Sequence, residues 1–217
     1  MTTNTTENDP TTSTTPESSS LQPIEAFKLA PFNPSSLQIQ EKAVQLLKLS
    51  NDDVLFDLGC GDGRLLIAAA QKIPGLRCVG VDIDPVFVTR AQQAIEALPD
   101  PELKRRLDIR LQDVLQLPTT LATADSNPAR NAGSPKSTQE LTLMDDATAL
   151  YLFILPKGIQ KIMPLLSALV QVKQVHQKRP FRILSYMFKI REWEPTLVDK
   201  TAKGAHPIYL YEFEPPK

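Results

Sequence analysis

Residues 54–64 read Val-Leu-Phe-Asp-Leu-Gly-Cys-Gly-Asp-Gly-Arg, and no other stretch constrains the fold as tightly. An apolar strand ends in an acid, Asp57. A turn follows with glycine at every second position (Gly59, Gly61, Gly63), and then an apolar helical run, Leu65 to Ala70. Glycine accepts positive φ and lets a ligand approach with no Cβ in the way. A strand, such a turn and a helix N-terminus in this order predict a cradle for a polar ligand at the edge of a parallel sheet. The plain alternative is a turn that only joins strand to helix, and context decides between them.

The context repeats the pattern. Val79-Gly80-Val81-Asp82-Ile83-Asp84-Pro85 is a second apolar strand ending in an acid. Asp82 lies at the spacing where a doubly wound fold puts the carboxylate that takes ribose hydroxyls, and a carboxylate accepts two hydrogen bonds from a vicinal diol. Asp84-Pro85 reads as a helix start, with Asp84 as N-cap and Pro85 first in the helix. A third strand, Leu107 to Leu111, runs into Gln112-Asp113-Val114. Asp113 alone is equally readable as a turn residue. Three acids after three successive strands match the place where open α/β sheets bind ligands.

The ligand class follows from charge. A dinucleotide turn wants glycine at its first, third and sixth positions. Here the sixth is Arg64, whose side chain is expected to obstruct close helix–strand packing, and Asp57 sets negative charge where a pyrophosphate would lie. An acid beside the turn suits a cation, such as the sulfonium and α-ammonium of S-adenosylmethionine.

Elements alternate along the chain. A helix over 37–49 precedes strand 53–57, helix 63–72, strand 77–82, helix 86–98 and strand 107–111. After them come strand 147–154, helix 157–177, strand 181–187 and a closing strand over 208–213. Alternation predicts a mostly parallel sheet covered on both faces, with an antiparallel final strand where alternation breaks. Residues 1–20, with twelve Ser/Thr, predict a disordered tail, and 21–217 a single domain. Residues 120–140, with Asn127-Pro128 and Gly133-Ser134-Pro135, read as a mobile insertion.

Charge and composition exclude several classes. A net charge of −1 and a pI near 6.2 give no broad basic surface for nucleic acid. Two cysteines, Cys60 and Cys78, make neither a disulfide framework nor a metal cluster and suggest a reducing compartment. Cys60, inside the turn, is a spacer rather than a nucleophile. His176 and His206, far apart, argue against zinc and read as solvated surface residues. No signal, transit or membrane-spanning segment is evident, so a cytoplasmic location is expected.

The order Asp57-x-Gly59-x-Gly61-x-Gly63 straight after a strand resembles the signature of class I (seven-strand) S-adenosylmethionine-dependent methyltransferases. That resemblance implies a Rossmann-like, doubly wound, seven-stranded sheet. It also implies a cofactor site formed by Asp57, Gly59, Cys60, Gly61, Asp82, Ile83, Asp113 and Val114. In it Asp113 reaches the adenine amino group and Val114 lies near the ring. Ala30-Pro31-Phe32-Asn33-Pro34-Ser35, the strand Leu150 to Pro156, and Trp193-Glu194-Pro195 narrow it further. Together with the glycine turn they look like the small methyltransferases that include the lysine methyltransferases of the ATP synthase c subunit and adenine nucleotide translocase, with their bacterial relatives. The similarity spans roughly residues 28–214 without the insertion. The chain departs by lacking a membrane-targeting segment and by carrying Asn33 where a small aliphatic is commoner.

Transfer of methyl from a sulfonium needs mainly alignment and a desolvated acceptor, and proximity alone contributes on the order of 7–11 kcal/mol at best. A lysine acceptor must also lose a proton from a pKa of about 10.4, which a dry pocket promotes. The apolar run from Tyr151 to Pro156 suits the wall of such a pocket, and it lacks the Asn-Pro-Pro-Tyr-like element of amide and base-amino methyltransferases. Tyr151, Leu155, Pro156, Phe32 and Trp193 are therefore the pocket-wall candidates, with no general base assigned. Phe32 and Trp193 are candidate lid or channel residues, with core packing as the alternative. A protein lysine is the preferred acceptor. A small metabolite, or binding of the cofactor without turnover, are the other readings.

Overall fold

A computed structural model of the chain describes Met1 and residues 35–120, 137–200 and 206–216. Phe32, the Ser/Thr-rich tail beyond Met1 and residues 121–136 lie outside the described residues.

The elements are α1 (Leu37–Leu46), β1 (Val54–Leu58), α2 (Arg64–Lys72), β2 (Arg77–Asp82), α3 (Pro85–Glu96), α4 (Pro101–Arg105) and β3 (Leu107–Leu111). They continue with α5 (Leu143–Asp146), β4 (Ala149–Leu152), α6 (Pro156–His176), β5 (Phe181–Tyr186), β6 (Leu197–Asp199) and β7 (Ile208–Phe213). The seven strands form one sheet in the order β3-β2-β1-β4-β5-β7-β6. β1 to β5 run parallel, and β7 lies antiparallel to both β5 and β6. This is the mixed, doubly wound sheet that the alternation predicts. The short helices α4 and α5 and strand β6 were not expected; β6 has only three residues and an exposed Leu197-Val198, too brief for a periodic pattern.

Strands β1 and β4 are buried throughout, as parallel strands covered on two faces must be. Alternate residues feed two cores. Leu55, Cys78, Ala149, Tyr151, Leu184 and Tyr186 pack with α1, α2 and α3. Phe56, Val79, Leu150, Leu152 and Ile183 pack with α5 and α6 on the other face. Asp57 follows Leu55 by two residues on β1 and so lies on the α1–α3 face.

The helices start where the local chemistry allows. The Asp84 carboxylate accepts from the Val86 amide (2.9 Å) with Pro85 first in α3, the N-cap expected from sequence. Asp100 caps α4 in the same way. The end of the 120–140 segment is tied down: Thr138 is buried, its hydroxyl donates to the Arg105 carbonyl, and Arg110 Nη2 donates to the Thr138 carbonyl at 2.9 Å.

Gly80, in the middle of β2, sets the closeness of the layers. A Cβ there would stand 2.7 Å from Cys60 Sγ and from Ile109 Cδ1, and 2.8 Å from Leu66 Cδ1. Helix α2 approaches β2 through this position. The expectation that Arg64 obstructs that packing is corrected: Arg64 turns outward, and its guanidinium pairs with the Asp62 carboxylate through Nε at 2.9 Å and Nη2 at 2.5 Å.

Candidate cofactor and acceptor site

The glycine turn has the backbone its composition predicts. Gly59, Gly61 and Gly63 all have positive φ, at 88°, 55° and 72°. The turn is anchored to the end of β2. The Gly59 and Cys60 amides donate to the Val81 carbonyl (2.8 and 3.1 Å), the Gly61 amide donates to Asp82 Oδ2 (2.8 Å), and the Gly63 amide to the Cys60 carbonyl (3.0 Å). Those four amides are spent inside the protein, so they do not form the free N–H cradle that a pyrophosphate requires. This replaces the Arg64 argument as the structural ground against a dinucleotide.

Two acids meet at the turn. Asp57 is 4 % exposed. Burial, reinforced by the neighbouring Asp82 charge, pushes its pKa well above the ordinary carboxylate value. A carboxyl in that position favours a cationic partner, whose charge offsets the burial of the carboxylate. Asp82 is half-buried and its second oxygen accepts from the Asp84 amide at 2.9 Å. A carboxylate offers about four acceptor positions, so both oxygens keep capacity for ribose hydroxyls.

Asp113 stands at the end of β3, where it was expected, and its Oδ1 accepts from the Leu115 amide at 2.9 Å, capping a 3₁₀ turn over Val114–Gln116. Val114 is buried in the same core as Leu58, Val81 and the inward residues of α5 and α6. Around these strand ends Val86, Leu111 and Leu115 are exposed at 54, 58 and 39 %. Apolar side chains left bare at one rim fit a flat aromatic base better than solvent. Cys60 is buried, lies against the position of Gly80 and has its thiol pKa raised by burial first and by Asp57 second. It is the spacer that the sequence suggests.

Beyond β1 the site opens toward β4 and β5. Tyr151 is the register partner of Asp57 across β1–β4. It is 3 % exposed, and no hydrogen bond ends on its hydroxyl. Phe153 packs on Tyr186 with ring centroids 4.7 Å apart, and Tyr186 meets His206 edge-on at 6.5 Å. Met187, immediately after β5, has φ of 72°, uncommon for a residue with a Cβ, and its amide donates to the Pro207 carbonyl. Strain of this kind clusters at functional sites. Phe153, Tyr186, Met187 and His206 were not singled out as site residues from sequence. His206 is solvent-exposed as expected, yet the pairing of Ile208 with Tyr186 carries it to the carboxyl end of β5.

Leu155 is 40 % exposed and caps α6, and Pro156 opens that helix. Both remain at the carboxyl end of β4. Trp193 does not join them. Its ring packs edge-on against Phe213 (4.9 Å) and Tyr211 (6.1 Å) on the α6 face of the sheet. Phe213 pairs with Phe181, the first residue of β5, so Trp193 stands near the opposite end of the strand and is a packing residue.

The residues present fit a sulfonium cofactor: a buried acid for a cation, a second acid for a diol, an apolar rim for a base, and an orphaned buried hydroxyl on β4, beside the first acid and on the side away from the second. Comparison with known proteins agrees. Residues 55–132 match the family described as a methyltransferase domain. A protein-lysine N-methyltransferase of Saccharolobus islandicus is 25% identical over 183 residues, 83% of this chain and 92% of that protein. A ribosomal protein L11 methyltransferase of Clostridium botulinum is 40% identical over 67 residues, which cover 31% of this chain and 21% of that one. Among solved structures, an RNA methyltransferase from Salinibacter ruber in complex with S-adenosyl-L-homocysteine superposes with a TM-score of 0.61 at 22% identity, covering 85% of this chain and 96% of its own. Residues 55–132 thus carry a methyltransferase domain, and the seven-stranded sheet as a whole shares the fold of a solved methyltransferase.

Proposed function

We propose that this methyltransferase modifies a protein lysine. The carrying observation is the apolar and aromatic wall at the carboxyl ends of β4 and β5, where Phe153, Tyr186 and Met187 stand beside the cofactor site. When bound, S-adenosylmethionine supplies an electrophilic methyl group. What the protein must then do is hold an alkyl amine dry and aligned, because burial disfavours the ammonium form and frees the nitrogen lone pair. Aromatic faces also attract an alkylammonium as it arrives. The similarity to the archaeal protein-lysine enzyme, which runs over nearly the whole of that protein, supports the same acceptor. So does the near-neutral charge of the chain, which offers little to a polyanion.

The test is transfer of labelled methyl from S-adenosylmethionine into a cell extract, followed by fractionation and hydrolysis of the protein to amino acids. Label in methyl-lysine, lost with Asp82→Ala, is the expected result. Label confined to small molecules or to RNA overturns lysine as acceptor.

A further inference from the structure

Tyr151 carries a buried hydroxyl that the fold leaves unused. The side chain is 3 % exposed, its oxygen has no hydrogen-bond partner, and it points into the α1–α3 face beside Asp57, Ser35 and Tyr186. Leaving a buried hydroxyl unpaired is costly, and a native structure that does so calls for an explanation. A phenylalanine would fill the same space without that cost. Ser35 lies nearby without closing a hydrogen bond of ordinary geometry, and burial first and Asp57 second hold the phenol protonated. Tyr151 therefore presents a donor, and its register partner Asp57 presents an acid that gains an acceptor once a cation arrives.

One donor and one acid side by side match a zwitterion. We propose that Tyr151 anchors the amino-acid end of S-adenosylmethionine, its O–H donating to the α-carboxylate while Asp57 accepts from the α-ammonium. The assignment rests on the cofactor and not on lysine as acceptor. It explains why β4 carries a tyrosine between the apolar Leu150 and Leu152 at a position that faces β1.

The experiment measures equilibrium binding of S-adenosylhomocysteine and of 5′-methylthioadenosine, which lacks the amino-acid end, to the full chain. Tyr151→Phe should weaken S-adenosylhomocysteine about tenfold, the loss of one hydrogen bond to a charged group, and leave methylthioadenosine unchanged. The melting temperature of the ligand-free variant should be equal or higher, because an unpaired buried hydroxyl has been removed. A second measurement needs no variant: the decarboxylated analogue of S-adenosylhomocysteine should bind the wild-type chain about tenfold more weakly than the parent. Equal affinity of parent and decarboxylated analogue overturns the proposal. So does an unchanged Kd in Tyr151→Phe, or an equal loss for both ligands. Failure of the wild-type chain to bind either ligand would sink the cofactor assignment itself.

Discussion

The Asp82 carboxylate accepts a hydrogen bond from the Gly61 amide at 2.8 Å, so the residue expected from sequence to take the ribose also holds the glycine turn against β2. Its other oxygen holds the Asp84 amide at the start of α3. Asp82→Ala removes a ligand partner and unpairs two amides in one step. Cofactor affinity should fall by at least about tenfold, since a hydrogen bond to a charged group is worth about 1.5–3 kcal/mol. Asp82→Asn keeps one acceptor oxygen and should fall between the two. Calorimetric titration with S-adenosylhomocysteine checks the ranking, and an unchanged Kd in Asp82→Ala would show that the cofactor lies elsewhere.

Asp57 makes binding pH-dependent. Its folded-state pKa lies above the ordinary 3.8, first because of burial and then because of Asp82. The stability it contributes is complete below 3.8 and is lost as pH rises through the raised folded value. A cationic ligand favours the carboxylate, so binding releases a proton in that window. Cofactor affinity should therefore rise with pH, by up to about tenfold per unit, and level off above the raised pKa. Asp57→Asn should abolish the slope, weaken the cofactor and stabilise the ligand-free protein at neutral pH. Titrations in buffers of different ionisation enthalpy would detect the proton; a flat profile in the wild type contradicts the assignment.

The opposite end of the sheet is held by charge. Arg182 Nη2 meets Asp53 Oδ1 at 2.5 Å with both side chains buried, while Arg182 Nη1 donates to the Leu47 and Lys48 carbonyls that end α1. Burial raises the Asp53 pKa, but the Thr148 hydroxyl, Arg182 and Ser50 together outweigh it and hold the group below 3.8. Its contribution to stability is present above 3.8 and fades as pH falls through the lowered value. Removing one partner strands the other, so Arg182→Met should cost about 3–5 kcal/mol of unfolding free energy. Urea denaturation at neutral pH measures it. Because this network lies at the amino ends of the strands, cofactor affinity of the folded fraction should be little changed.

Much of the site was legible because its signals are local. The positive φ of Gly59, Gly61 and Gly63 follows from glycine spacing over five residues, and the Asp84-Pro85 cap from two adjacent residues. Trp193 shows the limit. From sequence it is either a lid or channel aromatic or a core residue, and β7 decides for the core by doubling back and delivering Phe213 and Tyr211 to its ring on the far face. His206 shows the converse: an isolated surface histidine in sequence, it is carried by the same antiparallel strand to Tyr186 at the carboxyl end of the sheet.

By itself the sequence determined the strand–turn–helix cradle, the three acids at successive strand ends and the doubly wound class, because backbone conformation and periodicity depend on neighbours along the chain. Tertiary structure alone decided that Asp57 is buried, that Tyr151 is its register partner with an unspent hydroxyl, and that Gly80 leaves no room for a Cβ between Cys60, Ile109 and Leu66. Each of these depends on which strands lie side by side. Burial and pairing across a sheet are set by contacts between residues tens of positions apart, and it is those contacts that turn a common motif into a particular chemical environment.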